Sequence, residues 1–242
     1  MALSKNQFKL ITSLKQKKYR LKYKLFIAEG TKVVEEFLNS NFELDQLFCV
    51  NNSAYENIED CYIVSEAVLK KISSLKTPNN VVGIFKIPEV KKLKNEGLIL
   101  VLDGVNDPGN LGTIIRLCDW FGVDQLICSE NSVDCYNTKV VQATMGSLTR
   151  VSIVYTDISD YLKGTELPIF ASLMEGENVY TSNLPKNGIL VMGNEANGIS
   201  EKILSLKTQS ISIPRFGEVR QTESLNVATA TAILLSEFKR ST

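Results

Sequence analysis

Residues 98–122 read LILVLDGVNDPGNLGTIIRLCDWFG, and this stretch decides the fold class. Its apolar start predicts a buried strand, and the apolar side chains around Ile114 recur at helical spacing. Between them lies a polar turn rich in Asp, Asn, Pro and Gly. A strand, a turn and a helix in this order open a βαβ unit, in which ligands bind beyond the carboxyl end of the strand.

The alternation of apolar runs and helical patterns continues up to the last helix, which is predicted over residues 224–238. This order predicts an α/β domain with a mainly parallel sheet and helices on both faces. Three strands end in turns rich in Gly, Asn and acidic residues, and parallel strands bring such turns to one edge of the sheet. The three turns are DGVNDPGNLG, GNEANGIS and IPRFGEVRQTESLN.

The N-terminal third predicts a smaller α/β unit. Its expected elements are a helix near 4–16, a strand over 25–28, a helix over 31–39, a strand over 46–50, a helix over 65–75 and a strand over 81–87. The residues that follow, 88–97, are charged, lack apolar periodicity and are bounded by Pro88 and Gly97. We therefore predict two domains, over residues 1–92 and 93–242.

Composition excludes several kinds of chemistry. The chain has no histidine, which removes the usual general base, the commonest zinc ligand and the Ser-His and Cys-His nucleophile pairs, and we expect no metal. Its five cysteines form no CxxC pair and fit reduced thiols in a cytoplasmic protein. No apolar stretch reaches the roughly 18 residues of a membrane span, and no signal peptide is evident. We therefore expect a cytoplasmic protein with no membrane partner.

The net charge is zero but unevenly distributed along the chain. Residues 1–34 hold nine basic side chains and one acidic side chain, Glu29, so the remainder carries a net charge of minus eight. Two interpretations stay open: a solvated helix face, or an arm that contacts phosphates and makes RNA binding sensitive to salt. Tyr19 and Tyr23 either stack on bases or pack against the domain. The candidate RNA-binding residues are Lys15, Lys17, Lys18, Arg20 and Lys22.

The polar turns do not match the common phosphate-binding motifs. No GxGxxG follows a predicted strand, and GxxxxGK[ST] does not occur in the chain. A nucleotide-dependent enzyme acting on small molecules is therefore disfavoured.

In order and content, the three turns resemble the motifs of the SpoU/TrmH family of RNA ribose 2′-O-methyltransferases, within the knotted SPOUT superfamily. The resemblance covers residues 98–240 and rests on DGVNDPGNLGTIIRLCDWFG, VVQATMGSLTR, LVMGNEANGIS and ISIPRFGEVRQTESLNVATATAILLSEF. It implies a C-terminal trefoil knot, a homodimer with the active site near the subunit interface, S-adenosyl-L-methionine as cofactor and RNA as substrate. The N-terminal third resembles, in pattern, the ribosomal-protein-like substrate-binding domain that many members carry.

The resemblance also implies roles for individual residues. Those in catalysis would be Asn110, Arg116, Glu195, Ser224 and Asn226. Those that hold S-adenosyl-L-methionine would be Gly193, Ile213 and Leu225, with Met192 and Asn194 as neighbours. Without the resemblance, Ile213 and Leu225 would be interpreted as ordinary core residues, and Ser224 as the N-cap of the last helix. The link between Pro214 and Ser224 is longer and more charged than is usual in the family, so Arg215 and Arg220 are alternative RNA contacts.

A site without histidine suits methyl transfer to a ribose hydroxyl, because this reaction needs neither a metal nor a covalent intermediate. In the family that this sequence resembles, an arginine has been proposed as the base that takes the hydroxyl proton. A guanidinium hardly ever deprotonates, so we favour Arg116 as an electrostatic stabiliser of the developing alkoxide. Glu195 or solvent would then take the proton.

The sequence thus predicts an S-adenosyl-L-methionine-dependent RNA 2′-O-methyltransferase. Ribosomal RNA is favoured over transfer RNA as the substrate, because the N-terminal domain can recognise RNA structure away from the methylated ribose. The alternative is a non-catalytic RNA-binding or ribosome-assembly protein that retains the fold. The presence of all five candidate catalytic residues argues against this alternative.

Overall fold

The computed structural model describes residues 3–50, 54–55, 57–217 and 224–240. The α-helices in these ranges are α1 Lys5–Ser13, α2 Lys17–Tyr23, α3 Thr31–Leu38, α4 Glu66–Ile72, α5 Pro108–Phe121, α6 Thr138–Thr144, α7 Ile158–Lys163, α8 Glu201–Leu204 and α9 Val227–Arg240. The strands are β1 Leu25–Glu29, β2 Leu44–Cys49, β3 Cys61–Ile63, β4 Val81–Lys86, β5 Leu98–Leu102, β6 Gln125–Ser129, β7 Ile153–Thr156, β8 Ile169–Asn178, β9 Gly188–Met192 and β10 Thr208–Ser212.

Contacts divide the chain into two compact units. The N-terminal unit comprises Met1–Glu89 and Asp134–Arg150, and the C-terminal unit comprises Val90–Val133 and Val151–Thr242. The predicted boundary at residue 92 therefore needs a correction for residues 134–150, which belong to the N-terminal unit. The physical reason is a buried ion pair, in which Arg20 Nη2 lies 2.6 Å from Asp134 Oδ2.

The N-terminal unit is built on a four-stranded sheet, counted over the described residues, with the order β1-β4-β2-β3. Strand β4 is antiparallel to both β1 and β2, whereas β2 and β3 are parallel. Ile11 of α1 and Ile72 of α4 are fully buried and pack with Phe48 and Ile84 of the sheet. The apolar pattern does not predict β3, a three-residue strand without a fully buried position.

The predicted helix near 4–16 is shorter in the structure, and a second helix that the sequence does not predict follows it. Helix α1 begins with a capping box formed by Ser4 and Gln7 and ends at the C-cap Leu14. Helix α2 follows at Lys17 and ends at Lys24, which has a left-handed backbone with φ 55°. The predicted helix near 4–16 therefore stops earlier, and the basic residues that follow form a separate short helix.

The C-terminal unit contains a six-stranded sheet within the described ranges, with the order β10-β8-β9-β5-β6-β7 and parallel pairing throughout. Central strands β5, β6 and β9 are buried along their whole length. Ile99 and Val101 face α7 and α8, and they share a cluster with Leu162 and Ile203. The opposite face carries α5 and α9, which pack against each other.

A parallel sheet with helices on both faces confirms the predicted fold class. Phe238 of α9 packs on Phe170 of β8 with ring centroids 5.3 Å apart, which places the last helix on the sheet. The trefoil knot stays a prediction from the resemblance.

Two smaller findings concern the cysteines and the membrane. The five cysteines, which all lie in the described ranges, form no disulfide there. Burial raises the pKa of the Cys128 thiol to about 12, so this thiol stays protonated at neutral pH. Among the described helices, none has both the length and the apolar character that crossing a bilayer requires.

Candidate active site

Three loops follow β5, β9 and β10 at the carboxyl edge of the parallel sheet, where the sequence predicts that they meet. Strands β5 and β9 are direct neighbours, and two hydrogen bonds connect their loops. Asp103 N–H donates to the Met192 carbonyl over 2.9 Å, and Ser200 N–H donates to Asp103 Oδ2 over 2.8 Å. The first and second turns therefore form one connected surface.

The first loop leads directly into α5. Asp107 is the N-cap, its Oδ1 accepts the Asn110 N–H over 2.8 Å, and Pro108 occupies the first helical turn. Proline suits this position because its fixed φ fits a helix and the missing N–H would have no partner in the helix. This cap holds Asn110 in the first turn of α5.

The second loop owes its shape to Asn194 and Gly193. Asn194 Oδ1 accepts the Ala196 N–H over 2.8 Å, and its Nδ2 donates to the Gly104 carbonyl over 2.6 Å. A Cβ on Gly193 would lie 2.2 Å from the Gly198 carbonyl carbon. Gly193 is thus required by the close approach of the loop's own backbone.

Hydrogen bonds connect three candidate catalytic residues from the three turns. Asn226 Nδ2 donates to Asn110 Oδ1 over 2.9 Å, and Asn110 Nδ2 donates to Glu195 Oε1 over 2.6 Å. Asn226 Oδ1 in turn accepts the N–H groups of Ala228 and Thr229, at 3.0 and 3.3 Å, in the first turn of α9. We call the series from Asn226 through Asn110 to Glu195 the amide chain. Each side-chain NH₂ group in it donates to the next residue toward Glu195, so the orientation of both amides is fixed.

The N-cap of the last helix is therefore Asn226. The sequence allows this role for Ser224, but Asn226 Oδ1 makes the capping contacts and α9 begins at Val227. Ser224 is exposed and lies at a cavity described next.

A cavity of about 640 Å³ opens beside this amide chain in the C-terminal unit. All five residues that the resemblance assigns to the cofactor line it, as do Glu195, Ser224 and Asn226. Ile213 is half-buried and Leu225 is 48% exposed, so the plain-core interpretation is wrong for Leu225. Arg215 also lines the cavity, whereas Arg220 lies outside the described residues.

Sequence reasoning missed part of the cavity wall. Ser172, Leu173 and Met174 of β8 line it, and Met174 is 52% exposed. The run PIFASLM predicts only a buried strand, but its exposed carboxyl end lies next to β9, on the edge that carries the other loops. The sequence signal that could have revealed this wall is the change from the apolar run PIFASLM to the polar run EGEN directly after Met174.

Arg116 stands apart from the amide chain. It lies six residues beyond Asn110 on α5, which corresponds to about 9 Å along the helix and a different face. With Thr113 and Trp120 it forms an exposed stripe, in which Trp120 is 85% exposed. Within the part of the chain that the structure describes, Arg116 has no hydrogen bond or ion pair.

The basic candidates of the N-terminal unit divide into two groups. Lys15, Lys17, Lys18 and Lys22 are exposed, and Lys15 Nζ donates to the Ser73 carbonyl over 2.9 Å. Arg20 is only 2% exposed, and its guanidinium donates to Asp134 and to the Leu14 carbonyl. Its assignment to the RNA-binding set is therefore wrong, because its donors are used inside the unit.

Comparison with known proteins agrees with this architecture. Residues 97–236 match the model of the SpoU rRNA Methylase family, and residues 5–83 match the MRM3-like substrate binding domain. A 23S rRNA (guanosine(2553)-2′-O)-methyltransferase, RlmP of Bacillus subtilis (strain 168), is 31% identical over 93% of each chain. The chain belongs to the SpoU rRNA methylase family.

Solved structures of similar proteins cover the whole chain. An AdoMet-bound rRNA methyltransferase from Sinorhizobium meliloti superposes with a TM-score of 0.88 and 30% identity, covering 100% of this chain and 97% of that one. A TrmH-family protein from Porphyromonas gingivalis gives a TM-score of 0.91 and 36% identity over 100% of both chains. The likeness therefore extends over both units.

Proposed function

We propose that the protein transfers a methyl group from S-adenosyl-L-methionine to a ribose 2′-hydroxyl of ribosomal RNA. The observation that carries this proposal is the amide chain from Asn226 through Asn110 to Glu195, beside a cavity lined by the cofactor candidates. Family membership and the rRNA methyltransferases among the relatives support the same reaction. Because the relative that matches 93% of the chain is a bacterial rRNA methyltransferase, we expect the protein to work in the cytoplasm.

The cavity walls fit S-adenosyl-L-methionine in size and chemistry. Its volume of about 640 Å³ lies in the range of small-molecule and cofactor sites. Met192, Ile213 and Leu225 offer apolar sides suited to an adenine ring, and Ser224 and Asn226 add polar groups. When bound, the cofactor supplies an electrophilic methyl group on a sulfonium.

In this reaction, Glu195 takes the proton of the ribose hydroxyl as the oxygen–carbon bond forms and the carbon–sulfur bond breaks. Its carboxylate is held by Asn110, which Asn226 holds in turn, so it needs little reorganisation during the reaction. Positioning of the acceptor oxygen in line with the methyl carbon provides much of the acceleration, and favourable intramolecular cases gain roughly 7–11 kcal/mol.

Arg116 stabilises the developing alkoxide in this proposal, and it acts on the site of a second copy of the chain. Its exposure with Trp120 on α5, away from the amide chain of its own protomer, supports both a homodimer and this arrangement. A planar guanidinium with five donors suits a ribose or phosphate oxygen. The exposed tryptophan offers a large apolar contact to the partner subunit.

The reaction itself is tested by mapping 2′-O-methyl positions in ribosomal and transfer RNA treated with the protein and S-adenosyl-L-methionine. We expect methylation of ribosomal RNA, and methylation of transfer RNA alone would contradict the choice of substrate. Calorimetry tests the cofactor separately, since a non-catalytic member of the family would show no binding at millimolar S-adenosyl-L-methionine.

The role of the amide chain is tested with Asn226→Asp. The new carboxylate keeps an oxygen for capping α9 but loses the donor to Asn110, so helix stability is preserved while Glu195 loses its fixed orientation. We expect kcat to fall roughly 100-fold, as when one preorganised donor is removed from an active site. An unchanged kcat would remove Asn226 from the catalytic arrangement.

The position of Arg116 is tested by mixing two inactive variants, Arg116→Ala and Glu195→Gln. If Arg116 acts on the partner's site, random pairing at equal amounts restores about a quarter of the wild-type activity, because half of the dimers are mixed and each has one intact site. If it acts within its own chain, the mixture stays inactive. In addition, an unchanged maximal rate and rate–pH profile in Arg116→Lys would contradict the stabilising role of the planar guanidinium.

A further inference from the structure

Helix α2 presents two tyrosines and two lysines at matching helical positions. The rings of Tyr19 and Tyr23 are nearly parallel, with an angle of 12° and centroids 6.2 Å apart. Lys18 Nζ lies 4.8 Å from the centroid of Tyr19, and Lys22 Nζ lies 5.2 Å from that of Tyr23. We call these four residues the Lys–Tyr ladder. Both lysines are exposed, and Tyr23 is 42% exposed.

Arg20 anchors α2 from the side of the helix that lies opposite the two lysines of the ladder. At 100° per residue, the side chain of Arg20 points about 160° away from Lys18 and Lys22. Its Nη2 lies 2.6 Å from Asp134 Oδ2, and its Nη1 donates to the Leu14 carbonyl over 2.9 Å. The buried anchor fixes the rotation of α2, so the rings are ordered before a partner binds.

The exposed charged side chains of α2 are all positive. Glu29, the acidic residue among residues 1–34, is buried and accepts hydrogen bonds from the Ser73 hydroxyl and the Ser74 N–H. In the described ranges, Lys18 and Lys22 form no ion pair, and Lys17 is exposed beside them. A partner of the ladder must therefore be anionic as well as aromatic or flat.

We propose that the Lys–Tyr ladder binds unpaired nucleotides of the RNA substrate, a conclusion that rests on the proposed function. Unpaired bases expose flat faces that stack on aromatic rings, and their phosphates are neutralised by lysines. A duplex hides its base faces and would engage only the lysines. An acidic protein segment would also pair with the lysines but would leave the two rings without flat partners. The ladder thus selects RNA in which a single-stranded loop is accessible.

The test measures equilibrium binding of the full-length protein to two RNAs of equal length, a hairpin with an unpaired loop and a continuous duplex. In Tyr19→Ala/Tyr23→Ala we expect affinity for the hairpin to fall at least tenfold, with little change for the duplex, because stacking is lost. The slope of log affinity against log salt should stay as in the wild type. Tyr19→Phe/Tyr23→Phe, which keeps both rings, should bind the hairpin within about twofold of the wild type.

The lysines are tested with Lys18→Gln/Lys22→Gln, which should reduce the salt slope by roughly 1 to 1.5 for single-stranded contacts. The matched control is Lys70→Gln/Lys71→Gln, which removes the same charge from the exposed face of α4 and should leave the slope near the wild-type value. Circular dichroism confirms that each variant is folded.

Three results would overturn the ladder: wild-type hairpin binding by the double alanine variant, equal losses for hairpin and duplex, or equal slopes for the two lysine pairs. Methyl transfer to ribosomal RNA by the wild type is measured alongside. RNA-binding affinity tests the ladder, and methyl transfer tests the proposed reaction. Either proposal can therefore be contradicted while the other stands.

Discussion

The candidate active site and the Lys–Tyr ladder are assembled in opposite ways. The amide chain joins residues that are 85 and 116 positions apart in sequence, so it exists only when the C-terminal sheet and its last helix are in place. The ladder comes from one helix of seven residues, and only its anchor to Asp134 is remote. The proposed catalytic arrangement therefore depends on the long-range topology, whereas the proposed RNA-binding surface depends on local sequence and one buried ion pair.

The largest expected effect on activity separates the two regions, because it disrupts the candidate active site alone. Gly193→Ala places a Cβ about 2.2 Å from the Gly198 carbonyl carbon, so the second loop must shift. We expect loss of S-adenosyl-L-methionine binding by calorimetry and a destabilisation of about 1–3 kcal/mol, as in other overpacked sites. RNA binding through the N-terminal unit should remain.

Gly217→Ala is the control for this change, since its added Cβ meets nothing within 4 Å. Equal cofactor affinity in the two alanine variants would show that the backbone contact at Gly193 does not shape the cavity.

The second effect breaks the anchor of the ladder. Arg20→Ala leaves Asp134 with an uncompensated charge in a largely buried position, which should lower the free energy of unfolding by about 3–5 kcal/mol. Denaturant unfolding measures this change. The matched variant Lys17→Ala alters an exposed position of the same helix and should change stability by less than about 0.5 kcal/mol. Similar losses in both variants would contradict a structural role for Arg20.

The third effect removes charge from exposed side chains of the N-terminal unit. Replacement of Lys15, Lys17, Lys18 and Lys22 by Gln should weaken RNA binding and flatten its salt dependence, because fewer counterions are released. Cofactor affinity should stay unchanged, since the cavity is built from the C-terminal unit. Binding titrations at several salt concentrations measure the slope, and a slope equal to that of the wild type would refute the basic arm.

The smallest expected effect is on stability and concerns Asp157, which lies outside both regions. Hydrogen bonds from the Lys202 ammonium and from the N–H groups of Asp160 and Ser159 hold the pKa of Asp157 below its ordinary value. The stabilisation is therefore present above the ordinary aspartate pKa of about 3.9 and is lost as the pH falls through the lower pKa of the folded state.

The measurement for Asp157 compares the Tm of the wild type and Asp157→Asn, which keeps a side-chain oxygen to cap α7. We expect a small deficit in the variant at pH 7 that narrows as the pH falls below about 4. A difference in Tm that does not change with pH would show that Asp157 stabilises the protein by capping α7 and not through its charge.

The sequence predicts the strands well because buried parallel strands are continuous apolar runs, as at 98–102 and 188–192. It also predicts that the three polar turns meet, because parallel strands end on the same edge. It does not predict that Arg20 is buried, since its partner Asp134 is 114 residues away. The start of α9 is misplaced for a similar reason, because Ser224 and Asn226 are both good caps and only the folded contacts choose between them.

The direction of the amide chain has a consequence for the time at which the enzyme becomes competent. Asn226 is synthesised after Asn110 and Glu195, and its donor completes the arrangement only when α9 has formed and capped itself. A nascent chain that has already exposed its basic N-terminal helix to RNA therefore lacks an oriented Glu195 until the last helix folds. If both proposals hold, RNA binding precedes catalysis during biosynthesis, and an incomplete chain associates with RNA without methylating it.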